Sequence, residues 1–265
     1  MTPATEPSRG PTAVVPAPHA HLARRLARGF HAQGLRLLHD PLALSGAIAA
    51  LALPMLLQAL YPASLSASEL EAIAPRVGAS LVQYLVLLAA VIAGIRVARA
   101  HATGRVGRDI LLLGNRPAAA CRATTATLLG AAYGLLSALV PAVAQFVDAE
   151  GALARTVPPG QTPLLTAAAA GLAAGIWGDA VGRVVRAPLV VPLAVLATLS
   201  PAAALAEVSP RLAGLTPLGS HLTAVGAPLT PGLTTGLAGV LAAVLWLVVA
   251  STAAILVGRR RGALP

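Results

Sequence analysis

The chain has one cysteine, Cys121, no lysine, and an aromatic content of only 3%. A single cysteine excludes a disulfide framework and any Cys-x-x-Cys metal or redox site. The absence of lysine excludes the Gly-x-x-x-x-Gly-Lys-Ser/Thr phosphate loop, so no ATPase activity, and no enzyme activity in general, is expected of this chain. Charge is also scarce. Asp, Glu, Lys and Arg make up 11% of residues, where a soluble domain carries roughly a quarter. With 57% hydrophobic residues and a mean hydropathy of +0.78, most of the surface must face something other than water. Because aromatics are few, the apolar content is Ala, Leu and Val in long runs, the composition of lipid-facing helices.

All nineteen basic residues are arginines, and the formal net charge is +10. In a soluble protein that excess would point to nucleic acid. Here the arginines fall between apolar runs, which argues for a lipid bilayer and against a nucleic-acid partner. Cutting the chain at every Asp, Glu and Arg leaves charge-free stretches at 41–68, 77–95, 123–147, 156–178, 187–206 and 212–258. A helix rising 1.5 Å per residue crosses a hydrocarbon core of about 30 Å in about 20 residues, so each stretch has room for a span. The pattern predicts an all-α integral membrane protein of six transmembrane helices, at about 42–61, 79–97, 124–147, 164–180, 187–206 and 236–257. Together they form one membrane domain over 39–258.

The loops alternate in charge. Sixteen arginines fall on one side of these spans, and only Arg76, Arg155 and Arg211 fall on the other. Lys and Arg accumulate in cytoplasmic loops, so both termini are predicted inside, with 259–265 a short cytoplasmic end. The long stretch 212–258 has room for two spans. Residues 212–235 contain Pro217, Pro228, Pro231 and four glycines, poor material for a lipid-exposed helix, and a seventh span would carry Arg259, Arg260 and Arg261 outside. The segment 207–235 is therefore read as a partly re-entrant outer segment. A cleaved signal peptide over 22–66 is disfavoured by an apolar core longer than the usual 7–15 residues.

Residues 1–20 hold five prolines and are expected to form a disordered cytoplasmic tail. In 21–38, Leu22, Leu26 and Phe30 recur at four-residue spacing opposite Arg24, Arg25 and Arg28. That spacing predicts an amphipathic helix on the inner leaflet; a solvated basic segment that only fixes orientation is the alternative, given Gly29 and Gly34. Between spans two and three, Ile110 to Leu113 form an apolar patch in a basic loop. Glycines before it and Pro117 after it predict a helix of about two turns. Such a patch marks contact with a partner protein or with the bilayer surface.

Taken together, the helix before span one, the loop helix between spans two and three, the short loop after span four and the re-entrant stretch before span six resemble the permeases of ABC-2-type ABC transporters. That family includes drug-resistance and polysaccharide exporters. The resemblance covers roughly residues 20–258. Family members carry an acidic residue, Gly-Thr, a leucine-rich turn, then Pro and a basic residue before span three. The matching positions are Gly107, Arg108, Asp109, Leu111, Leu112, Leu113 and Pro117, followed by Arg122, with Arg99 and His101 standing about where the family has its acid. The resemblance implies a multi-pass protein of the bacterial cytoplasmic (inner) membrane. It further implies a second permease chain as a homodimer or heterodimer partner, and a cytoplasmic ATP-binding subunit docked on the 99–117 loop. ATP and Mg would reside on that partner, with no cofactor in this chain. The implied cargo is a hydrophobic or amphipathic compound for export.

Other motifs carry less. Gly171-x-x-x-Gly175 and Gly178-x-x-x-Gly182 put small residues on a helix face, for packing within the subunit or at a permease dimer. Asp179 precedes Arg183 by four residues, the spacing of an ion pair along a helix. Prolines 188, 192 and 201 are expected to bend or break span five. Gln83, Tyr84, Thr124, Thr125, Thr127 and Tyr133 are polar side chains inside spans two and three, candidates for a translocation path. Histidine spacing matches no metal-ligand pattern, and no intramembrane protease motif or Gly-x-Ser-x-Gly elbow is present. With no acidic residue at mid-span, ion-driven transport is disfavoured. The reading of a different class is a non-transporting membrane scaffold or assembly protein.

Overall fold

The computed structural model describes residues 18–60, 67–147, 163–226 and 236–261, and these form helices joined by short turns, with no strand among the described residues. The helices are α1 (Pro18–Leu38), α2 (Pro41–Leu60), α3 (Ala67–Ala102), α4 (Arg105–Leu113), α5 (Asn115–Val147), α6 (Pro163–Val185), α7 (Val191–Leu199), α8 (Pro201–Val208), α9 (Pro210–Leu215), α10 (Pro217–Ala224) and α11 (Gly236–Arg260). The expected tail before residue 18, Arg155 with its loop, residues 227–235 of the expected outer segment and the last four residues lie outside the described residues.

Four segments are long and apolar enough to cross a membrane: Ala79–Ala102, Leu164–Val185, Val191–Val208 and Gly236–Arg260. A fifth is added if α1 and α2, bent by 67° at the break between them, count as one. The chain is thus an all-helical protein with several membrane-length apolar helices.

Half of the described prolines start helices. Pro18, Pro41, Pro163, Pro201, Pro210 and Pro217 each occupy the first position of a helix, where the missing N–H is not needed and the fixed φ suits the first turn. Pro188 precedes α7, and Pro192 sits in its first turn. At Pro201 the expected break is mild. Ser200 keeps helical dihedrals and donates to the Leu196 carbonyl at 2.8 Å, so α7 and α8 count as one 18-residue apolar run.

Two helices extend well beyond the expected spans. α3 begins before residue 79 and α5 begins before residue 124, giving lengths of 36 and 33 residues, about 54 and 50 Å. The limit is set by backbone geometry rather than by the lipid boundary, because arginine is a good helix former and lets both helices continue into polar surroundings. Gly104 and Gly114, with φ of 67° and 88°, adopt conformations unfavourable to other residues and bound α4 on both sides. The end of α4 is thus Gly114, while Pro117 falls in the first turn of α5.

α6 is the central packing element. Along it Gly171 abuts Gly130 and Gly175 abuts Ala126, so α6 runs antiparallel to α5. One to two turns later Gly178 abuts Ala90 and Gly182 abuts Gly94, so α6 runs parallel to α3. At each contact a Cβ on the glycine would overlap a backbone carbonyl of the neighbour. Both small-residue pairs therefore pack within this chain, the first against α5 and the second against α3. Small residues are the means by which helices approach where lipid supplies no hydrophobic drive between them.

Further along the same helix, Trp177 gathers three other elements. Its ring lies edge-on to Trp246 of α11 and to His221 of α10, with centroids 6.4 Å away in both cases. Its Nε1 donates to Thr198 Oγ1 of α7 at 3.2 Å. Six consecutive residues of α10, Leu218 to Thr223, are buried. α11 by contrast is a peripheral helix with Leu237, Leu241, Val244, Leu245 and Val248 exposed.

Replacing Gly171 or Gly130 by Leu should therefore lower the thermal unfolding midpoint in detergent, with an overpacking cost of about 1–3 kcal/mol or more. Gly34 of α1 has open space around its Cα. Gly34→Ala should leave the midpoint unchanged or raise it, by up to about 1 kcal/mol of helix propensity. A neutral Gly171→Leu result would refute the seam.

Candidate functional site

The charged ends of α1, α3, α4 and α5 meet around two carboxylates. Asp40, in the turn between α1 and α2, accepts from the Leu42 backbone N–H at 3.1 Å and so caps α2. Its other oxygen accepts from Arg96 Nε of α3 at 2.6 Å. One residue thereby holds the α1–α2 corner against α3.

Asp109 does the same for α4. Its side chain is buried and accepts from Gln33 Nε2 at 3.2 Å and from Arg36 Nη1 at 2.9 and 3.2 Å, both on α1. Arg122 Nη1 of α5 stands 4.0 Å from its second oxygen. Asp109, read from sequence as part of a docking motif, is therefore turned inward with Val106, and it anchors α4 to the bundle. Gly107 and Leu111 lie on the open side of α4, and Arg108 and Leu112 stand at the rim of the cavity described below, with Leu111 86% and Leu112 75% exposed. Leu113 and Pro117 are half-buried.

α1 seats on α5 through Gly29, where a Cβ would come within 2.7 Å of Cys121 Sγ. Its protein-facing stripe is Leu26, Gly29, Gln33 and Leu37, so Leu26 of the expected lipid-facing stripe is partly turned to the protein while Leu22 and Phe30 are exposed. Burial pushes the Cys121 thiol above its ordinary range. Arg122, just before the expected start of span three, is lowered by burial first and by the nearby Arg183 second, with Asp109 opposing. Its Nη1 is buried and has no hydrogen-bond partner.

Between these elements lies a cavity of about 820 Å³ lined by arginines of α1, α3, α4 and α5, together with Asp40 and Asp109. The expected ion pair near the end of α6 is formed, with Arg183 Nη2 2.6 Å from Asp179 Oδ2. Arg261, just past α11, donates from Nη1 to the Val184 carbonyl at 2.9 Å and ties that end to α6.

The polar residues considered for a translocation path are not brought together. Tyr133 is buried and donates from its hydroxyl to the Ala43 carbonyl at 2.9 Å, locking α5 to α2 beside Gly46. Thr127 donates to Ala123 of its own helix at 2.9 Å. Tyr84 and Thr124 are exposed and Gln83 is half-buried, and of the six Thr125 alone lines the arginine cavity, with its hydroxyl donating to the Cys121 carbonyl at 2.6 Å. Gln33, Arg36, Asp40 and Arg96, which hold the site together, escaped the sequence reading. Their signal was the isolation of Asp40 and Asp109 among arginines, since a lone carboxylate in a basic region needs a named partner.

No protein-family model, no curated protein and no solved structure matches this chain.

Asp109→Ala should leave Gln33 and Arg36 without their acceptor and loosen α1 from α4. The expected result is faster amide hydrogen exchange over 29–38 and a stability loss of about 1–3 kcal/mol, the range for hydrogen bonds to a charged group. Arg36→Gln should cost less, because the Arg36 side chain is 40% exposed and solvent screens the pair. Unchanged exchange in Asp109→Ala would refute the anchoring role.

Proposed function

We propose that this chain is the membrane-spanning permease subunit of an ABC-2-type transporter in a bacterial cytoplasmic membrane. It would work with a second permease chain and a separate cytoplasmic subunit that binds ATP and Mg. Its cargo would be a hydrophobic or amphipathic compound moved outward.

The observation that carries this reading is α4. A nine-residue helix is bounded by two glycines, anchored on its inner side by Asp109, and left with Leu111 and Leu112 strongly exposed. A helix fixed to the bundle yet apolar on its open face is suited to transmit force from a docked partner, because displacement of α4 acts on α1 through Asp109 and on α5 through the single residue Gly114. An exposed leucine pair beside arginine is what a protein partner would bury.

Within this proposal six segments cross the bilayer, namely α2, α3, α5, α6, the α7–α8 run and α11, with both ends inside. α5 is included because it packs antiparallel along α6 from Ala126 to Gly134, at the depth of an apolar helix of membrane length. The 67° turn from α1 into α2 supports α1 as a helix on the inner surface. The burial of α10, with His221 edge-on to Trp177 and Trp177 in turn edge-on to Trp246, supports a re-entrant segment before the last span.

Two measurements test the proposal. In a Cys121→Ala background, a cysteine at Arg105 should react with an impermeant thiol reagent only from the cytoplasmic side, and one at Glu207 only from the outer side. The reverse, or reaction of both from one side, would sink the topology. The purified chain should hydrolyse no ATP, and an ATPase should co-purify with it from its native membrane. The pair Leu111→Asp and Leu112→Asp should abolish that association. Recovery of only other membrane proteins would favour a scaffold.

A further inference from the structure

The arginine cavity has more positive charge than the chain itself compensates. Six arginines line it: Arg36, Arg96, Arg99, Arg105, Arg108 and Arg122. The two carboxylates on its wall are both engaged, Asp40 by Arg96 at 2.6 Å and Asp109 by Arg36 at 2.9 Å. Arg122 reaches only the edge of contact with Asp109, at 4.0 Å, and its Nη1 is shielded from solvent without a hydrogen-bond partner. Arg99 and Arg105 have no carboxylate within 4.0 Å among the described residues, and Arg108 makes only a long contact, Nη2 to the Thr103 carbonyl at 3.4 Å.

Guanidinium groups converging in a partly enclosed space repel one another, and a buried donor without an acceptor is costly. An anion with several acceptor oxygens would relieve both. The planar guanidinium fork matches phosphate oxygens, which it binds bidentately. A volume of about 820 Å³ lies within the roughly 300–1,000 Å³ of small-molecule sites.

We propose that this cavity is a binding site for a phosphate group, the chemistry shared by an anionic phospholipid headgroup and by free phosphate or a soluble phosphate ester. Arg122 forms its floor, and Arg99, Arg105 and Arg108 form its mouth. The location suits a headgroup. The cavity opens beside α1, whose Leu22, Phe30, Leu35 and Leu38 are exposed, and it lies at the end of the apolar stretch Ala79–Ala102. Basic pockets at that level meet the anionic surface of the inner leaflet. The site does not depend on the transport reading, since it requires neither an ATPase nor a cargo.

The test uses the full chain in detergent, with binding followed by native mass spectrometry and by the thermal midpoint. The probes are phosphatidylglycerol, cardiolipin, phosphatidylcholine and inorganic phosphate. Phosphatidylglycerol or cardiolipin should bind about tenfold more tightly than phosphatidylcholine. The double variant Arg99→Gln with Arg105→Gln should reduce that binding about tenfold. Arg24→Gln with Arg28→Gln, exposed on α1 outside the cavity, should change it by less than about twofold, the scatter for a screened surface charge. Without ligand, the cavity variant should be as thermostable as the unaltered chain or more so, because it relieves repulsion. Tight binding of inorganic phosphate, lost in the cavity variant, would support the site and assign it to a soluble phosphate ligand if the anionic lipids show no preference. Equal binding of all three lipids with no phosphate binding would overturn the proposal. So would anionic binding that the cavity variant leaves intact, or loss that the α1 variant reproduces.

Discussion

The close approach of α6 to α5 and α3 is the constraint on which the other contacts depend. In a bilayer two apolar helices gain little by hiding leucines from lipid, so their association depends on how closely the backbones meet. Gly171, Gly175, Gly178 and Gly182 allow α6 to press on two neighbours whose own contact residues are Gly or Ala, namely Gly130, Gly134 and Ala126 on α5 and Ala90 and Gly94 on α3. Larger side chains at these positions would push α3 and α5 apart, and their polar ends would no longer face each other across α4. The seam in the apolar part of the molecule therefore sets the spacing at its charged end.

That spacing gives the ion pairs their purpose. A half-exposed arginine–carboxylate pair adds little stability by itself. Here each pair selects a direction. Asp40 caps α2 and meets Arg96, which makes α1 leave the bundle at an angle instead of continuing the line of α2. Asp109 meets Gln33 and Arg36, which turns α4 so that Leu111 and Leu112 stay exposed. With Asp109 neutral or absent, the bundle has no strong reason to prefer this orientation of α4 over one that buries Leu111 and Leu112.

Much of this fold was legible in the sequence, where one physical rule dominated. Spans follow from the absence of charge over membrane length, and the starts of α1, α2, α6 and α11 fall within three residues of the expected ones because a proline or glycine stands there. The early starts of α3 and α5 were not legible, since hydropathy reports where lipid ends and says nothing about where backbone hydrogen bonding stops. At α5 the start is set by Gly114. Asp109 was legible as a motif position but its inward facing was not, because a motif is a string and carries no facing. Helical phase separates Val106 and Asp109, three apart on one face, from Leu111 on the opposite face, and places Leu112 between them. The partners of Asp109 are 73 and 76 residues away, on α1. No local spacing rule reaches that far.

The proposed anion site and the proposed docking surface share α4, and this links them physically. Arg105, Arg108 and Leu112 line the cavity while Leu111 stands open beside them on the same nine-residue helix. An anion that neutralises the mouth would lower the repulsion between α4 and the arginines of α3 and α5, and so favour the seated position of the helix. A partner that pulls on the leucines would act against the same contacts. Two ligands that bias one element in this way are coupled by thermodynamic necessity, whatever either one is, and each alters the affinity for the other by the same factor. The sign follows from geometry. If docking needs α4 in the seated position the coupling is positive, and if docking lifts α4 away from Arg122 it is negative.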